Sequence, residues 1–254
     1  MTLSTQLKDQ LCVSAKQYAA DAGIPITVRK SAVLFCNLAD SFCSDSYEAI
    51  QSNADWNART EKAHQQVPGS LEMQSSNSSD ALLMNIFCHP KIATWKGVQD
   101  VLGFVVDKPV FGFKACVPKH GTDGDKTEID LAIGNCFAEA KLTEEGFTEK
   151  LKSEVEKYEG FADVFHVSSL AQDANNYRNY QVIRNILAAV HHDKDHILFC
   201  DQRRPDLVRD YLSTVACVRE VRVRERCRVI FWQEIAQNAG KSLRDFLETK
   251  YGIC

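Results

Sequence analysis

The sequence predicts an α/β protein, because helical and strand-like patterns alternate along the chain. Leu3–Ala20 has apolar residues at helical spacing, and Thr127–Leu142 alternates like two short strands around a Gly-Asn turn. Asn175–Val190 has the pattern of an amphipathic helix, and the apolar run Ile197–Cys200 that follows has the pattern of a buried strand. A helix followed by such a strand is half of a βαβ unit. At 254 residues the chain can hold one sizeable core, alone or with a helical extension.

The composition argues against several classes of protein. Apolar residues make up 44% and charged residues 25% of the chain, which is typical of a soluble globular protein. No apolar run reaches the length of a membrane span, and the N-terminus lacks the layout of a signal peptide, so no membrane association is expected. The net charge of −4 argues against a sequence-blind nucleic-acid coat protein but allows a local basic track.

The ten cysteines are scattered, form no C-x-x-C pair and mostly lie in apolar runs. This pattern is typical of free thiols buried as small hydrophobic residues in a reducing compartment, so a cytoplasmic location is expected. No pair has the spacing of zinc ligands. The His- and Asp-rich tract at 191–196 is interpreted as a polar turn rather than a metal site.

The first quarter of the chain is predicted to be helical. After Leu3–Ala20, a second helix is expected from about Ser31, and 47–64 is expected to be helical in part. Val67–Ser76 contains Pro-Gly-Ser and a Ser/Asn run, which indicates a linker. The predicted division is an N-terminal helical extension over 1–66 and a core with a C-terminal helix over 67–254.

The next stretch is predicted to supply one helix and two strands. Residues 78–80 offer N-cap side chains for a helix over Ala81–Phe87. Val101–Val106 and Val110–Val117 have the composition and alternation of strands. The loop at 121–125 is interpreted as a solvated turn, because its Asp and Gly residues lack the spacing of a calcium loop.

Thr127–Leu142 is predicted to be a hairpin whose turn fixes its register. The predicted partners are Ile133 with Cys136, Leu131 with Ala138, Asp130 with Glu139, and Glu128 with Lys141. Alternation places Ile129, Leu131, Ile133, Ala138, Ala140 and Leu142 on one face, and Glu128, Asp130, Glu139 and Lys141 on the other.

The charged face of this hairpin needs a physical explanation. Asp130 and Glu139 are opposed with Cβ atoms about 5 Å apart, where like charges are destabilising. A hard divalent cation between them would remove the conflict, and Mg2+ takes one or two carboxylates with water and phosphate oxygens. Lys141 could then orient a water or offset phosphate charge. The alternative is a solvent-exposed hairpin in which Glu128 pairs with Lys141 and the other carboxylates are hydrated.

Asp130 followed by Glu139-Ala140-Lys141 resembles the D…ExK signature of the PD-(D/E)XK, or restriction-endonuclease-like, nuclease superfamily. The similarity extends over roughly Ser78–Trp232 and is greatest to uncharacterised restriction-endonuclease-like proteins. The resemblance implies an αβββαβ core, with a mixed central sheet flanked by helices, preceded here by the N-terminal helical extension. Segments that carry it are SSDALLMNIF (78–87), TEIDLAI (127–133), AEAKLTE (138–144) and NYQVIRNILAA (179–189).

The resemblance also implies the residues of an active site. Asp130 and Glu139, with the carbonyl of Ala140, would hold Mg2+ or Mn2+, and no organic cofactor is implied. Lys141 would position or help to deprotonate the attacking water and stabilise the transition state. Glu128 would either assist or only pair with Lys141.

In the superfamily, the helix after the ExK strand often lends a polar side chain to the site. Gln181 is the best match as a supporting residue, and Tyr177 and Arg184, one helical turn to either side, are candidate contacts to nucleic acid. The alternative for each is a plain polar helix face. The helix before the sheet sometimes contributes an acid, but here only Asn85 is polar in its middle, and core packing is expected for it.

The stretch 219–232 predicts an arginine-rich strand. Arg222, Arg224, Arg226 and Arg228 would share one face, and a guanidinium row can bind phosphates. Arg222 and Arg224 are therefore candidate nucleic-acid contacts. The alternative is an edge strand that its charges protect from aggregation.

The resemblance to the PD-(D/E)XK superfamily implies a metal-dependent endonuclease that hydrolyses phosphodiester bonds, with DNA as the expected partner. Two alternatives stay open: a catalytically silent nuclease fold that binds nucleic acid or protein, and a metal-dependent phosphatase acting on small molecules. The phosphatase is disfavoured because the sequence has no GxxxxGK[ST] phosphate loop. A homodimer is expected if both strands are cut, since each chain offers one site.

Overall fold

A mixed β-sheet with helices on both faces lies at the centre of the molecule. The computed structural model describes residues 1–65, 67–121 and 124–254, so the predicted solvated turn at 121–125 lies partly outside the described residues.

The strands are β1 (Ile26–Arg29), β2 (Ala32–Phe35), β3 (Val110–Lys114), β4 (Glu128–Ile133), β5 (Cys136–Ala140), β6 (Lys150–Leu151), β7 (Asn176–Tyr177), β8 (Asp195–Cys200) and β9 (Cys227–Phe231). The helices are α1 (Leu3–Ala22), α2 (Ser44–Gln51), α3 (Ala54–Thr60), α4 (Ser79–Phe87), α5 (Lys96–Leu102), α6 (Lys152–Val155), α7 (Phe161–Val164), α8 (Tyr180–His191), α9 (Pro205–Val215), α10 (Val221–Glu225), α11 (Trp232–Asn238) and α12 (Lys241–Tyr251).

The central sheet has the strand order β3-β4-β5-β8-β9. β3, β4 and β5 are antiparallel neighbours, whereas β8 runs parallel to β5 and β9 runs parallel to β8. The parallel connections pass through α8 and α9. With α4 ahead of the three antiparallel strands, this is the predicted αβββαβ order, so the predicted mixed α/β architecture is confirmed.

The sheet separates two apolar layers. Leu131 and Ala138 pack on the side of α4, α11 and α12, whereas Phe137 packs on the side of α8 and α9. All residues of β5 are buried because this strand is covered on both faces. A charged side chain on β5 therefore has to be paired or hydrogen-bonded inside the protein.

The hairpin at the middle of the sheet has the predicted register near its turn, whereas the predicted pairs Asp130–Glu139 and Glu128–Lys141 lie beyond the end of the β4–β5 pairing. Ile133 lies opposite Cys136, and Leu131 lies opposite Ala138. Gly134 has φ 51, the left-handed conformation that this two-residue turn requires. The alternation that follows from this register buries the alternate residues of β4.

The N-terminal region differs in part from its prediction. α1 extends over the predicted helix, and α2 and α3 lie within the stretch expected to be partly helical. The second helix predicted from Ser31 is wrong: β1 and β2 form a hairpin there, with Arg29 opposite Ala32. Lys30 adopts φ 49, which allows the short turn, and the buried apolar run of β2 packs against α1.

Three other predicted elements are corrected. The strand expected at Val101–Val106 is instead the end of α5, which stops at Gly103 with φ 77, and an extended segment. The charged composition of 148–160 predicts a surface helix, but this stretch contains only the short elements β6 and α6. The helix expected from Asn175 begins only at Tyr180, because β7 pairs with β6 before it.

The stretch predicted as a linker packs against the protein. Met73 is fully buried, and the hydroxyl of Ser76 accepts a hydrogen bond from the amide of Val33 (3.0 Å). The division between 1–66 and 67–254 stays a prediction. Among the described residues, no helix combines the length and the apolar character needed to span a bilayer.

Candidate active site

Asp130 on β4 is held in place across the hairpin. Its Oδ2 accepts a hydrogen bond from the amide of Ala140 (2.8 Å). Burial, together with the neighbouring carboxylates of Glu139 and Asp80, raises the pKa of Asp130 well above its ordinary value. The ionised carboxylate is thus disfavoured where it stands, and a cation placed beside it would stabilise the site.

Glu139 and Lys141 form an ion pair inside the protein. Lys141 Nζ lies 2.7 Å from Glu139 Oε1, and the two side chains are only 2% and 6% exposed. Burial opposes the ionised form of Glu139, but Lys141, Arg184 and a hydrogen bond from Asn185 hold its pKa below the ordinary value. Burial likewise works against charged Lys141, but Glu139 and Glu144 raise its pKa. Both groups are therefore charged at neutral pH.

Helix α8 supplies the hydrogen bonds that orient this pair. Gln181 Nε2 donates to Glu139 Oε1 (3.1 Å), and Gln181 Oε1 accepts from Lys141 Nζ (3.1 Å). Asn185, one turn further along, donates to Glu139 Oε2 (2.7 Å). The structure thus brings Gln181 to the expected place. Asn185 was not predicted, although its position four residues after Gln181 could have indicated it.

Two other predicted contacts of this region are placed inside the protein. Arg184 is 4% exposed and donates to Asn185 Oδ1 and to the carbonyl of Glu128, so its predicted contact with nucleic acid finds no support. Tyr177 is 1% exposed, lies in β7 rather than on the helix, and donates to Glu156 Oε1 (2.9 Å). Because α8 starts after it, Tyr177 is not one turn from Gln181, and its prediction as a site residue is corrected.

The predicted arginine row does not form. Arg222 and Arg224 belong to α10, so strand alternation does not align them with Arg226 and Arg228. Arg222 is exposed, whereas Arg224 donates to the backbone carbonyls that precede α10. Arg226 pairs with two aspartates near the start of β8, and Arg228 donates to the carbonyl of Leu102. The phosphate track that these residues were expected to form is therefore not supported.

The helix before the sheet also brings an acid close to Asp130, which the sequence-based expectation had not named. Asp80, in the first turn of α4, is close enough to raise the pKa of Asp130. Asn85 is packed in the core as expected, and its Oδ1 accepts a hydrogen bond from the amide of Cys43 (2.7 Å). The Ser-Ser-Asp at the start of α4 had been interpreted only as capping residues.

Arg59 of α3 is the other residue that the sequence did not indicate. Its Nη2 lies 3.0 Å from Asp80 Oδ2, and its Nη1 lies 2.7 Å from Glu128 Oε2. Glu128 therefore pairs with Arg59 rather than with Lys141, which corrects the pairing expected from the hairpin. The N-terminal segment thus reaches the acidic face of the sheet.

The donor groups at this place fit a hard divalent cation. Asp130, Glu139 and the Ala140 carbonyl are oxygen donors of the kind that Mg2+ takes, although both carboxylate oxygens of Glu139 are already engaged by Lys141, Gln181 and Asn185. Within 1–65, 67–121 and 124–254, no group of three or more His, Cys, Asp or Glu side chains is arranged to hold a metal ion. An ion held by the two carboxylates Asp130 and Glu139 would need water or phosphate oxygens to complete its coordination.

Access to this site is one-sided. Glu139 and Lys141 are enclosed, whereas Asp130 is partly exposed and the side chain of Glu128 is 45% exposed. A separate cleft of about 770 Å³ lies between α3, the end of α4 and the start of β3, and is lined by Trp56 among others. Among these four residues, Asp130 and Glu128 are the ones that a ligand from solvent can reach most easily.

A mixed αβββαβ sheet that carries an Asp and an ExK set on neighbouring antiparallel strands defines a restriction-endonuclease-like protein. The chain belongs to the family described as restriction endonuclease associating with ARP, whose family model matches residues 13–252. The resemblance expected from the D…ExK signature is thereby confirmed. Comparisons with curated proteins and with solved structures gave no match.

Proposed function

We propose that this protein is a metal-dependent nuclease that hydrolyses phosphodiester bonds, with DNA as its substrate. The observation that carries the proposal is the joint placement of Asp130, Glu139 and Lys141. Lys141 Nζ and Glu139 Oε1 are 2.7 Å apart, and burial, together with the carboxylates of Glu139 and Asp80, raises the pKa of Asp130. A fold without a cation would gain nothing from this accumulation of acids.

Asp130, Glu139 and the carbonyl of Ala140 would hold Mg2+, or Mn2+ in its place. When bound, the ion would polarise the scissile phosphate and lower the pKa of a coordinated water. The ammonium group of Lys141 would hydrogen-bond the attacking water and offset charge on the phosphate oxygens. Gln181, which contacts both Lys141 and Glu139, would keep these two side chains oriented as the reaction proceeds.

The test is cleavage of supercoiled plasmid by the native protein with Mg2+, the native protein with EDTA, and Lys141→Ala. The expected result is nicking that needs both the metal and Lys141. Lys241→Ala, at an exposed position on α12, is the matched control and should cleave like the native protein. Cleavage that persists in EDTA or in Lys141→Ala would refute the proposal.

A nuclease fold that binds without cutting is the second candidate, because Glu139 and Lys141 are almost completely enclosed. Binding of DNA without cleavage in the same assay would favour it. Hydrolysis of nucleotides but not of polymer would instead favour a phosphatase. We also propose that linear product, formed by cutting both strands, requires a homodimer, which sedimentation of the protein on DNA would reveal.

A further inference from the structure

Arg59 is built into the edge of the candidate site. Its guanidinium lies over Gly112 of β3, where a Cβ atom would overlap Nη1 of Arg59. Gly112 also adopts φ 63, a conformation that favours glycine. The strand is thus shaped to receive the arginine, although Arg59 comes from the N-terminal segment and the sheet from the core.

The two partners of Arg59 differ in their surroundings. Asp80 is a buried anchor: its side chain is 10% exposed, and Lys62 Nζ approaches the same Oδ2 at 3.7 Å. Glu128 is a surface group whose side chain is 45% exposed. The Arg59 side chain is 13% exposed, so water, salt or a ligand can compete for this ion pair mainly at its Glu128 end. Asp80 therefore anchors the guanidinium from the buried side, and Glu128 is the partner that a ligand from solvent can displace.

A phosphate is the ligand whose chemistry suits this replacement. A guanidinium binds phosphate and carboxylate in the same forked geometry, so a phosphate oxygen can take the place of Glu128 on Nη1. The acids Asp130 and Asp80 would repel a nucleic-acid backbone. The guanidinium of Arg59, which lies between Asp80 and Glu128, would offset that repulsion on the side where Glu128 is exposed.

We propose that Arg59 is a binding site for a backbone phosphate of the nucleic acid, in which the phosphate displaces Glu128 while Asp80 holds the guanidinium. The inference rests on the proposed function in that the ligand is the substrate polymer. It assigns to the N-terminal segment a part in substrate binding. Arg59 would bind and position the substrate, whereas the residues around Asp130 would carry out the cleavage of the phosphodiester bond.

Binding of a short fluorescein-labelled DNA duplex, followed by anisotropy in EDTA and in Ca2+ over a range of salt concentrations, tests this. Arg59→Ala should weaken binding about tenfold, as expected for one charged hydrogen-bonded contact. The slope of log affinity against log salt should fall by about 0.9, the value for one phosphate contact. Arg244→Ala, at an exposed position of α12, is the matched control and should change neither quantity.

Glu128→Gln gives the sharper result, because its predicted effect has the opposite sign. Removing the competing carboxylate should strengthen DNA binding several-fold, and this gain should disappear when Arg59→Ala is combined with it. Glu248→Gln, an exposed acid on α12, controls for the general loss of one negative charge. Glu128 is exposed, so its replacement tests the proposal even if Arg59→Ala folds poorly.

Three outcomes would overturn the phosphate site: a gain from Glu128→Gln that survives in the Arg59→Ala background, an unchanged salt slope in Arg59→Ala, or no DNA binding by the native protein. The plasmid assay decides separately whether the protein cuts. If the binding cycle behaves as expected and no cleavage occurs, the phosphate site stands and the nuclease proposal fails.

Discussion

Replacing Asp130 by Asn should make the metal-free protein more stable, although it should remove the proposed metal site. Asn has nearly the same shape, so no cavity is created. The carboxylate that it replaces is disfavoured by burial and by the charges of Glu139 and Asp80. The substitution therefore removes a repulsion that the fold tolerates only for a function.

The size of the effect follows from the hairpin. Like charges roughly 5 Å apart repel by about 3 kcal/mol at an effective dielectric constant near 20. The hydrogen bond from the Ala140 amide to Asp130 weakens when its acceptor becomes neutral, at a cost of about 1 kcal/mol. The net gain is about 2 kcal/mol, which corresponds to a Tm increase of about 5 °C for a domain of this size.

The pH dependence of this gain has a definite sign. The pKa of Asp130 is raised in the folded protein, so above 3.8, its ordinary value, the folded state binds more protons than the unfolded state. Stability of the native protein is then lost as the pH rises toward the folded pKa. Thermal melts in EDTA should show the gain of Asp130→Asn growing as the pH rises above 3.8 toward the raised pKa of Asp130.

The matched control is Asp9→Asn on the exposed face of α1, which should leave the Tm unchanged over the same pH range. An Asp130→Asn protein that is no more stable than the native protein at pH 8 would refute the reasoning. A gain that does not change with pH would also refute it, because the repulsion would then not depend on ionisation.

Three further substitutions test other parts of the structure. Lys141→Ala should destabilise the metal-free protein by about 3–5 kcal/mol in urea unfolding, because the buried carboxylate of Glu139 loses its partner. The double variant with Glu139→Gln should recover much of the lost stability. Gly112→Ala should cost more than about 1 kcal/mol and weaken DNA binding as Arg59→Ala does, because the φ is positive and the Cβ overlaps the guanidinium; normal DNA binding would contradict this. Lys250 is fully buried, and burial lowers its pKa well below the ordinary 10.5. The stability of the native protein should therefore rise as the pH increases toward 10.5. Lys250→Met should raise the Tm at pH 7 and make the Tm depend less on pH.

The parts of the site that the sequence predicted are those set by local rules. A two-residue Gly-Asn turn and strict alternation determine which residues of β4 and β5 face each other as far as Leu131 and Ala138. Just beyond that pair, Asp130 is close enough to Glu139 for the Glu139 charge to raise its pKa. Gln181 follows from helical spacing after the sheet. These contacts need only short-range patterns, so one sequence is sufficient to find them.

The parts that were missed depend on contacts between distant residues. Arg59 lies 21 residues from Asp80 and 69 from Glu128, and no local pattern indicates that it reaches either. The alternating Val and Arg residues after Glu220 are compatible with a strand and with a short helix. In the structure Val221–Glu225 is a short helix, a choice that depends on tertiary contacts rather than on the local pattern. Tyr177 was wrongly predicted to lie on the helix, because the helical spacing was extended back past Asn179. Asn179 has a positive φ, and the helix begins only after it.

Binding of Mn2+ by isothermal titration calorimetry, with the native protein and with Asp130→Asn, tests most directly whether the opposed acids serve a divalent ion. The account predicts a saturable binding event in the native protein that disappears in Asp130→Asn while the fold is retained. No binding by the native protein, or equal binding by both, would contradict it.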